Sequence, residues 1–164
     1  MGDHAEIRAA VSTQDHDLAR ALFVEYAEWL DVDLCFQGFS EELATLPGAY
    51  SPPLGRLLLA GLPGSAFGCI ALRPLHLGGG TAAACLGEVK RLYVQPAHRR
   101  GGWGRRLAML LLDEARAIGY RELKLDTLEW MDAARGLYAS LGFRECAPYY
   151  ANPLPGVKYM ACTL

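Results

Sequence analysis

Apolar positions recur along this chain with two periods, and the switches between them mark out its elements. Glu6-Ile7-Arg8-Ala9-Ala10-Val11 reads as a short opening strand. Ser12, Thr13 and Asp15 then offer caps for a helix from about Asp15 to Leu30. Leu18, Leu22, Tyr26, Trp29 and Leu30 recur at helical spacing and give that helix an apolar face. Ser40-Glu41-Glu42-Leu43 opens a second, short helix that Pro47-Gly48 stops, and Pro52, Pro53 and Gly55 end the following loop.

Arg56 to Ala60 and Ser65 to Leu72 predict a hairpin around Gly61-Leu62-Pro63-Gly64. Gly78-Gly79-Gly80 separates it from a longer strand, Cys85 to Val94, which stops at Gln95-Pro96 because proline cannot extend the ladder. A helix follows from near Gly102 to Ile118, with Trp103, Leu107, Leu110, Leu111 and Ile118 on one side and Gly119 as its stop. Glu122 to Asp126 is a strand. Ala134, Leu137, Tyr138 and Leu141 mark a helix closed by Gly142, and Phe143 to Cys146 and Val157 to Thr163 are the last strands. The order is β-α-α-β-β-β-α-β-α-β-β, without internal repeats. It predicts one α/β domain over residues 1–164, a mixed sheet with a central β-α-β unit around residues 85–127.

The 164 residues are 52% hydrophobic and 21% charged, enough apolar material for one core and far from a disordered composition. Sixteen Lys and Arg against eighteen Asp and Glu give a formal charge of −2, which argues against a surface built for nucleic acid or anionic membrane. No apolar run approaches a bilayer span, and the first residues lack the pattern of a secretory leader. A cytoplasmic protein is expected. Cys35, Cys69, Cys85, Cys146 and Cys162 are odd in number, lack CxxC spacing and sit in mostly apolar sequence. They read as buried hydrophobes in a reducing compartment, with no disulfide or metal site expected.

The chemistry concentrates after the longer strand. Arg99-Arg100-Gly101-Gly102-Trp103-Gly104 lies between a strand end and a helix start, where first-turn amides have no intrahelical partner and the dipole is positive. Glycines let such a turn close on an anion, and a pyrophosphate is its natural guest. Lys90, Arg91, Arg99, Arg100, Arg105 and Arg106 put six cations within seventeen positions, although a glycine turn with solvated arginines would look the same. Neither GxxxxGK[ST] nor GxGxxG occurs.

Arg99-x-x-Gly102-x-Gly104 resembles the R/Q-x-x-G-x-G/A signature of the GNAT superfamily of acyl-CoA-dependent N-acyltransferases. Leu92-Tyr93-Val94-Gln95-Pro96 looks like the strand end that precedes it there, and Ala134-x-x-Leu137-Tyr138-x-x-x-Gly142-Phe143 is similar to a later motif of that family. The order of elements fits along nearly the whole chain, and the similarity extends to bacterial members. The resemblance implies a mostly antiparallel twisted sheet with a central splayed strand pair and flanking helices. It also implies acetyl-CoA as co-substrate, its pyrophosphate on the amides of Arg100, Gly101, Gly102, Trp103, Gly104 and Arg105, and its pantetheine arm in a V-shaped gap beside Leu92, Tyr93 and Val94. Met131 stands seven residues before Tyr138, where many members carry an Asn that contacts the cofactor.

Acetyl transfer to an amine needs a base for the ammonium, a polarised carbonyl and a proton for the departing sulfur. Glu88, eleven residues before Arg99, matches the place of the family's glutamate base; alternatively it forms a structural ion pair with Lys90 or Arg91. Tyr138 matches the family's acid, although periodicity alone makes it a core residue. A backbone amide near Leu92 to Val94 would polarise the carbonyl. For the acceptor, the resemblance points to the first two helices and the late loop, hence Trp29, Gln37 and Tyr149, and Arg91 beside Glu88 would suit an acceptor carboxylate. The resulting expectation is an N-acetyltransferase acting on a primary amine of a small molecule by direct transfer. A protein amine, a non-catalytic acyl-CoA sensor and a homodimeric assembly stay open.

Overall fold

The computed structural model describes residues 4–77 and 85–164. The expected Gly78–Gly80 separator lies outside them. The chain runs β1 (Glu6–Ala9), α1 (Thr13–Leu30), α2 (Phe39–Thr45), β2 (Arg56–Gly61), β3 (Gly68–Pro74), β4 (Leu86–Val94), α3 (Trp103–Ile118), β5 (Glu122–Leu128), α4 (Asp132–Ser140), β6 (Arg144–Glu145) and β7 (Val157–Thr163). Every expected element is present, with shifted ends. Ser12 and Asp15 start α1 with a reciprocal capping box: the Asp15 amide donates to Ser12 Oγ at 3.1 Å, and the Ser12 amide to Asp15 Oδ2 at 3.2 Å. Strand β3 begins at Gly68 instead of Ser65, because Leu62–Ser65 is spent on the turn, which the Ser65 amide closes by donating to Leu62 O at 3.0 Å. The cysteines need a correction. Cys69 and Cys162 are buried, but Cys35 is exposed and Cys85 and Cys146 are half-buried, all as free thiols.

The seven strands form one sheet in the order β1-β2-β3-β4-β5-β7-β6. Neighbours are antiparallel except β4 and β5, the pair joined by the α3 crossover. Alternation sorts the two faces. Leu57, Leu59, Cys69 and Ala71 pack with Ala19, Leu22 and Phe23 of α1, while Leu58, Ala60, Ile70 and Leu72 pack with Leu107, Leu111 and Ala115 of α3.

Strand β4 breaks this rule. Val89 and Tyr93 are four residues apart and would share a face on a regular strand, yet Val89 joins the α3 core and Tyr93 the α1 core. The cause is a bulge: Tyr93 pairs with Cys69 and Lys90 with Ala71, so Arg91 and Leu92 oppose Ile70 alone. Arg91 takes a left-handed φ of 60° there. On its other side β4 pairs with β5 only over Leu86–Glu88 against Glu122–Lys124. Beyond Glu88 the two strands part, and the bulge and the parting open a gap in mid-sheet.

Candidate active site

The loop from β4 to α3 is shaped by two left-handed residues, Arg100 at φ 68° and Gly102 at φ 75°. Gly102 is the N-cap of α3 and offers no side-chain acceptor. The first amide to enter the helix ladder is that of Arg106, which donates to Gly102 O at 3.0 Å. The amides of Trp103, Gly104 and Arg105 are therefore left to an external acceptor. A Ser or Asp cap would compete for them, and glycine does not. Arg99 pins the loop to β4: its Nε donates to Val94 O at 2.9 Å, and its guanidinium lies 4.6 Å from the Trp29 ring centre and 5.7 Å from that of Tyr93. Arg105 donates to Ser140 Oγ at 2.8 Å, Arg106 stacks on Trp103, and Gly101 and Arg100 are exposed. Backbone donors, a positive helix end and exposed cations fit a pyrophosphate.

The mid-sheet gap opens beside Leu92 of β4, the strand that leads into this loop. Val89 and Leu92 of β4, Thr127 and Leu128 of β5, and Met131 and Tyr138 line it. Tyr138 is buried against Phe143, which raises its phenol above the ordinary range, and among the described residues its hydroxyl has no hydrogen-bond partner. Met131 is turned inward, its sulfur accepting from Thr127 Oγ1 at 3.6 Å.

A second cavity, of about 300 Å³, adjoins the gap and is lined by Phe36, Gln37, Arg73, Glu88 and Tyr149 among others. Glu88 is 2% exposed and held by two cations, Lys90 Nζ at 3.1 Å and Arg73 Nη2 at 3.3 Å. Lys90 also reaches Asp126 Oδ1 at 3.2 Å across the parted strands. Asp126 Oδ2 accepts from the Tyr150 hydroxyl at 2.6 Å and from Asn152 Nδ2 at 3.0 Å. Burial alone would raise the Asp126 carboxyl, but the Lys90 charge and these donors outweigh it and hold the group below its ordinary range. The Tyr149 hydroxyl is buried with no partner among the described residues.

Arg91 is not the cation beside Glu88. The bulge turns it towards α2, where Nε donates to Glu42 Oε2 at 2.9 Å and Nη1 to Gln37 Oε1 at 3.0 Å. Trp29 also lies apart from Glu88, 39% exposed and packed on Arg99, Tyr93 and Trp130 at the loop end of β4. Gln37 and Tyr149 do share the cavity with Glu88.

Residues 18–143 match the family model described as Acetyltransferase (GNAT) family. The chain belongs to that family. An uncharacterized N-acetyltransferase of Schizosaccharomyces pombe is 40% identical over 159 residues, 94% of this chain and 91% of the relative. Similarity to GNAT proteins is thus not confined to bacterial members. Among solved structures, an acetyltransferase of Streptococcus agalactiae matches with a TM-score of 0.75 at 19% identity, over 98% of both chains. The Salmonella typhimurium protein yncA, solved with its cofactor acetyl-CoA, matches with a TM-score of 0.66 at 21% identity, over 97% of this chain and 93% of that one. The mixed sheet, seven-stranded with four α-helices among the described residues, is accordingly the GNAT fold, and the activity that goes with the family is acetyl transfer from acetyl-CoA.

Reading the GNAT motifs missed Arg73 in the second cavity, the Lys90–Asp126 bridge between the parted strands, and Glu42 as the partner of Arg91. The signal was available. Lys90 and Arg91 lie in the same buried strand as Glu88, and each buried charge requires a counter-charge. Among the described residues no helix is long and apolar enough to cross a membrane, and no cluster of three or more metal-ligating side chains occurs.

Proposed function

We propose that this GNAT protein is an N-acetyltransferase that moves the acetyl group of acetyl-CoA to a primary amine of a small molecule, directly, within a ternary complex. The observation that carries the reading is the meeting of two cavities: the mid-sheet gap, with Tyr138, and the cavity holding Glu88. Amides of residues 100–105 hold the pyrophosphate, with Arg99, Arg100 and Arg105 supplying charge around it. Leu92, Tyr93 and Val94, without a β5 partner, offer a strand edge to the pantetheine amides. Acetyl-CoA supplies the acetyl group as an activated thioester.

Glu88 takes the proton of the incoming ammonium, directly or through one water, and its two cations fix the carboxylate in position. An amide of the Leu92–Val94 segment donates to the carbonyl oxygen, and Tyr138 gives its hydroxyl proton to the departing sulfur. Burial keeps the Tyr138 hydroxyl protonated, so that it meets the sulfur as a hydrogen-bond donor and yields its proton only as negative charge builds there. Gln37 and Tyr149 line the path of the acceptor, while Trp29 supports Arg99 on the donor side. Five free thiols fit work in a reducing compartment such as the cytoplasm.

Calorimetric titration with acetyl-CoA, with NAD and ATP as controls, tests the donor half. Selective binding of acetyl-CoA is expected. Equal binding of all three, or none, would reduce the loop to a generic turn. Thiol release over a panel of small amines then tests the transfer, and turnover on peptide amines alone would overturn the small-molecule assignment.

A further inference from the structure

We infer that Lys90 is a catalytic residue of the transfer, donating a hydrogen bond to the thioester carbonyl oxygen as negative charge builds on it. The inference rests on the direct-transfer reading above. Direct transfer requires the amine nitrogen and the carbonyl carbon to come within about 3–3.5 Å. They must meet where the two cavities adjoin, and two residues line both, Gln37 and Lys90.

Gln37 is already engaged at both ends of its carboxamide, accepting from Arg91 Nη1 at 3.0 Å and donating to Tyr150 Oη at 3.2 Å. Lys90 is not. An ammonium has three donors. One is hydrogen-bonded to Asp126 Oδ1 at 3.2 Å and Glu88 Oε1 lies 3.1 Å away as an ion-pair contact, so among the described residues at least one of the three donors has no acceptor.

The backbone explains why the side chain sits there. Lys90 is two residues past Glu88, the last β4 residue paired to β5, and immediately before the Arg91 bulge. It therefore projects where the strands part. Its side chain is only 4% exposed, and a donor fixed in so dry a place stabilises developing charge far better than one in water. Glu88 and Asp126 both hold the ammonium, which limits its reorganisation during the reaction.

The competing role is a rivet that joins β4 to β5 across the gap. The variant Lys90→Met/Asp126→Asn removes that bridge without stranding a carboxylate on β5, and it is compared with Asp126→Asn alone. Two readouts are made. The first is turnover with an amine identified in wild type, alongside calorimetric affinity for acetyl-CoA. The second is the infrared carbonyl stretch of bound acetyl-CoA carrying carbon-13 at the carbonyl, which needs no acceptor.

The expected result is kcat about 100-fold below Asp126→Asn, the range for loss of one oxyanion donor, with acetyl-CoA affinity changed less than about threefold. The carbonyl band should move to higher frequency when Lys90 is absent. Should the double variant not fold, Lys90→Arg, which keeps a cation but displaces its donors, is measured in its place with the same expectation for the band. An unmoved band, or a kcat equal to that of Asp126→Asn, overturns the role of Lys90 while wild-type turnover leaves the direct-transfer reading standing. A moved band without turnover of any amine supports Lys90 and overturns the acceptor assignment instead. Failure of wild type to bind acetyl-CoA overturns both.

Discussion

The loop over residues 99–105 and the charged wall of buried ion pairs that includes Glu88 are built by opposite means. The loop is one short stretch of sequence, shaped by two left-handed residues and the open end of a helix. The wall joins distant residues: Arg73 to Glu88, Arg91 to Glu42 and Gln37, Gln37 to Tyr150 across 113 positions. A backbone-built site offers unused donors and costs the fold little. A site built of buried ion pairs is part of the core, and its members cannot be removed without cost to stability.

The largest expected effect follows from that difference. Arg91→Met leaves the Glu42 carboxylate, 10% exposed, with the Tyr50 hydroxyl and no cation in direct contact. Stranding one partner of a buried pair costs about 3–5 kcal/mol. Urea unfolding is the check. A loss below about 1 kcal/mol would mean that Glu42 is readily rehydrated and that the wall is not structural.

The same contrast decided what could be read in advance. The strand Cys85 to Val94, the helix to Ile118 and the glycine turn between them were legible because each depends on residues within a few positions. The place of Tyr138 on α4 was legible through Leu137 and Gly142-Phe143. The orientation of Arg91 was not, because a one-residue bulge reversed the face it occupies, and nothing in Glu88-Val89-Lys90-Arg91 announces a bulge. Trp29 was placed correctly on α1, but its exposure depends on Arg99 and Trp130, 70 and 101 residues away. Pairings across the sheet are set by tertiary packing, which local spacing does not encode.

Next in size are effects on chemistry rather than stability. Tyr138→Phe removes the proton donor and keeps the ring against Phe143, so turnover should fall by about 100-fold with acetyl-CoA affinity nearly unchanged. Full turnover in this variant would assign Tyr138 to packing. Smaller again is Gly102→Val. A β-branched residue at φ 75° costs roughly 1–2 kcal/mol, which the loop escapes by giving up the left-handed turn. Affinity for acetyl-CoA should drop roughly tenfold, with kcat at saturation and the urea midpoint close to wild type. A stability loss without an affinity loss would reverse the comparison, making the loop structural and leaving the donor site elsewhere.

The smallest effect separates the two regions by pH. Asp126 belongs to the wall, and burial, which would raise its carboxyl, is outweighed by Lys90, Tyr150 and Asn152. Its folded value therefore lies below the unfolded one, near about 3.9. On acidification the unfolded chain takes up this proton first. The contribution of Asp126 is complete above the unfolded value and drains away as pH falls through the folded one. Asp15, in the capping box of α1, shifts in the same direction despite some burial and forms part of a background common to wild type and variant. Urea midpoints from pH 6 to pH 3 should thus fall more steeply in wild type than in Asp126→Asn, and the two curves should converge at the acid end. The loop carries no carboxylate, so Gly102→Val should run parallel to wild type throughout. Parallel curves for Asp126→Asn as well would mean that the Lys90 bridge contributes nothing to folding, leaving the Arg73–Glu88 and Arg91–Glu42 pairs to hold the wall.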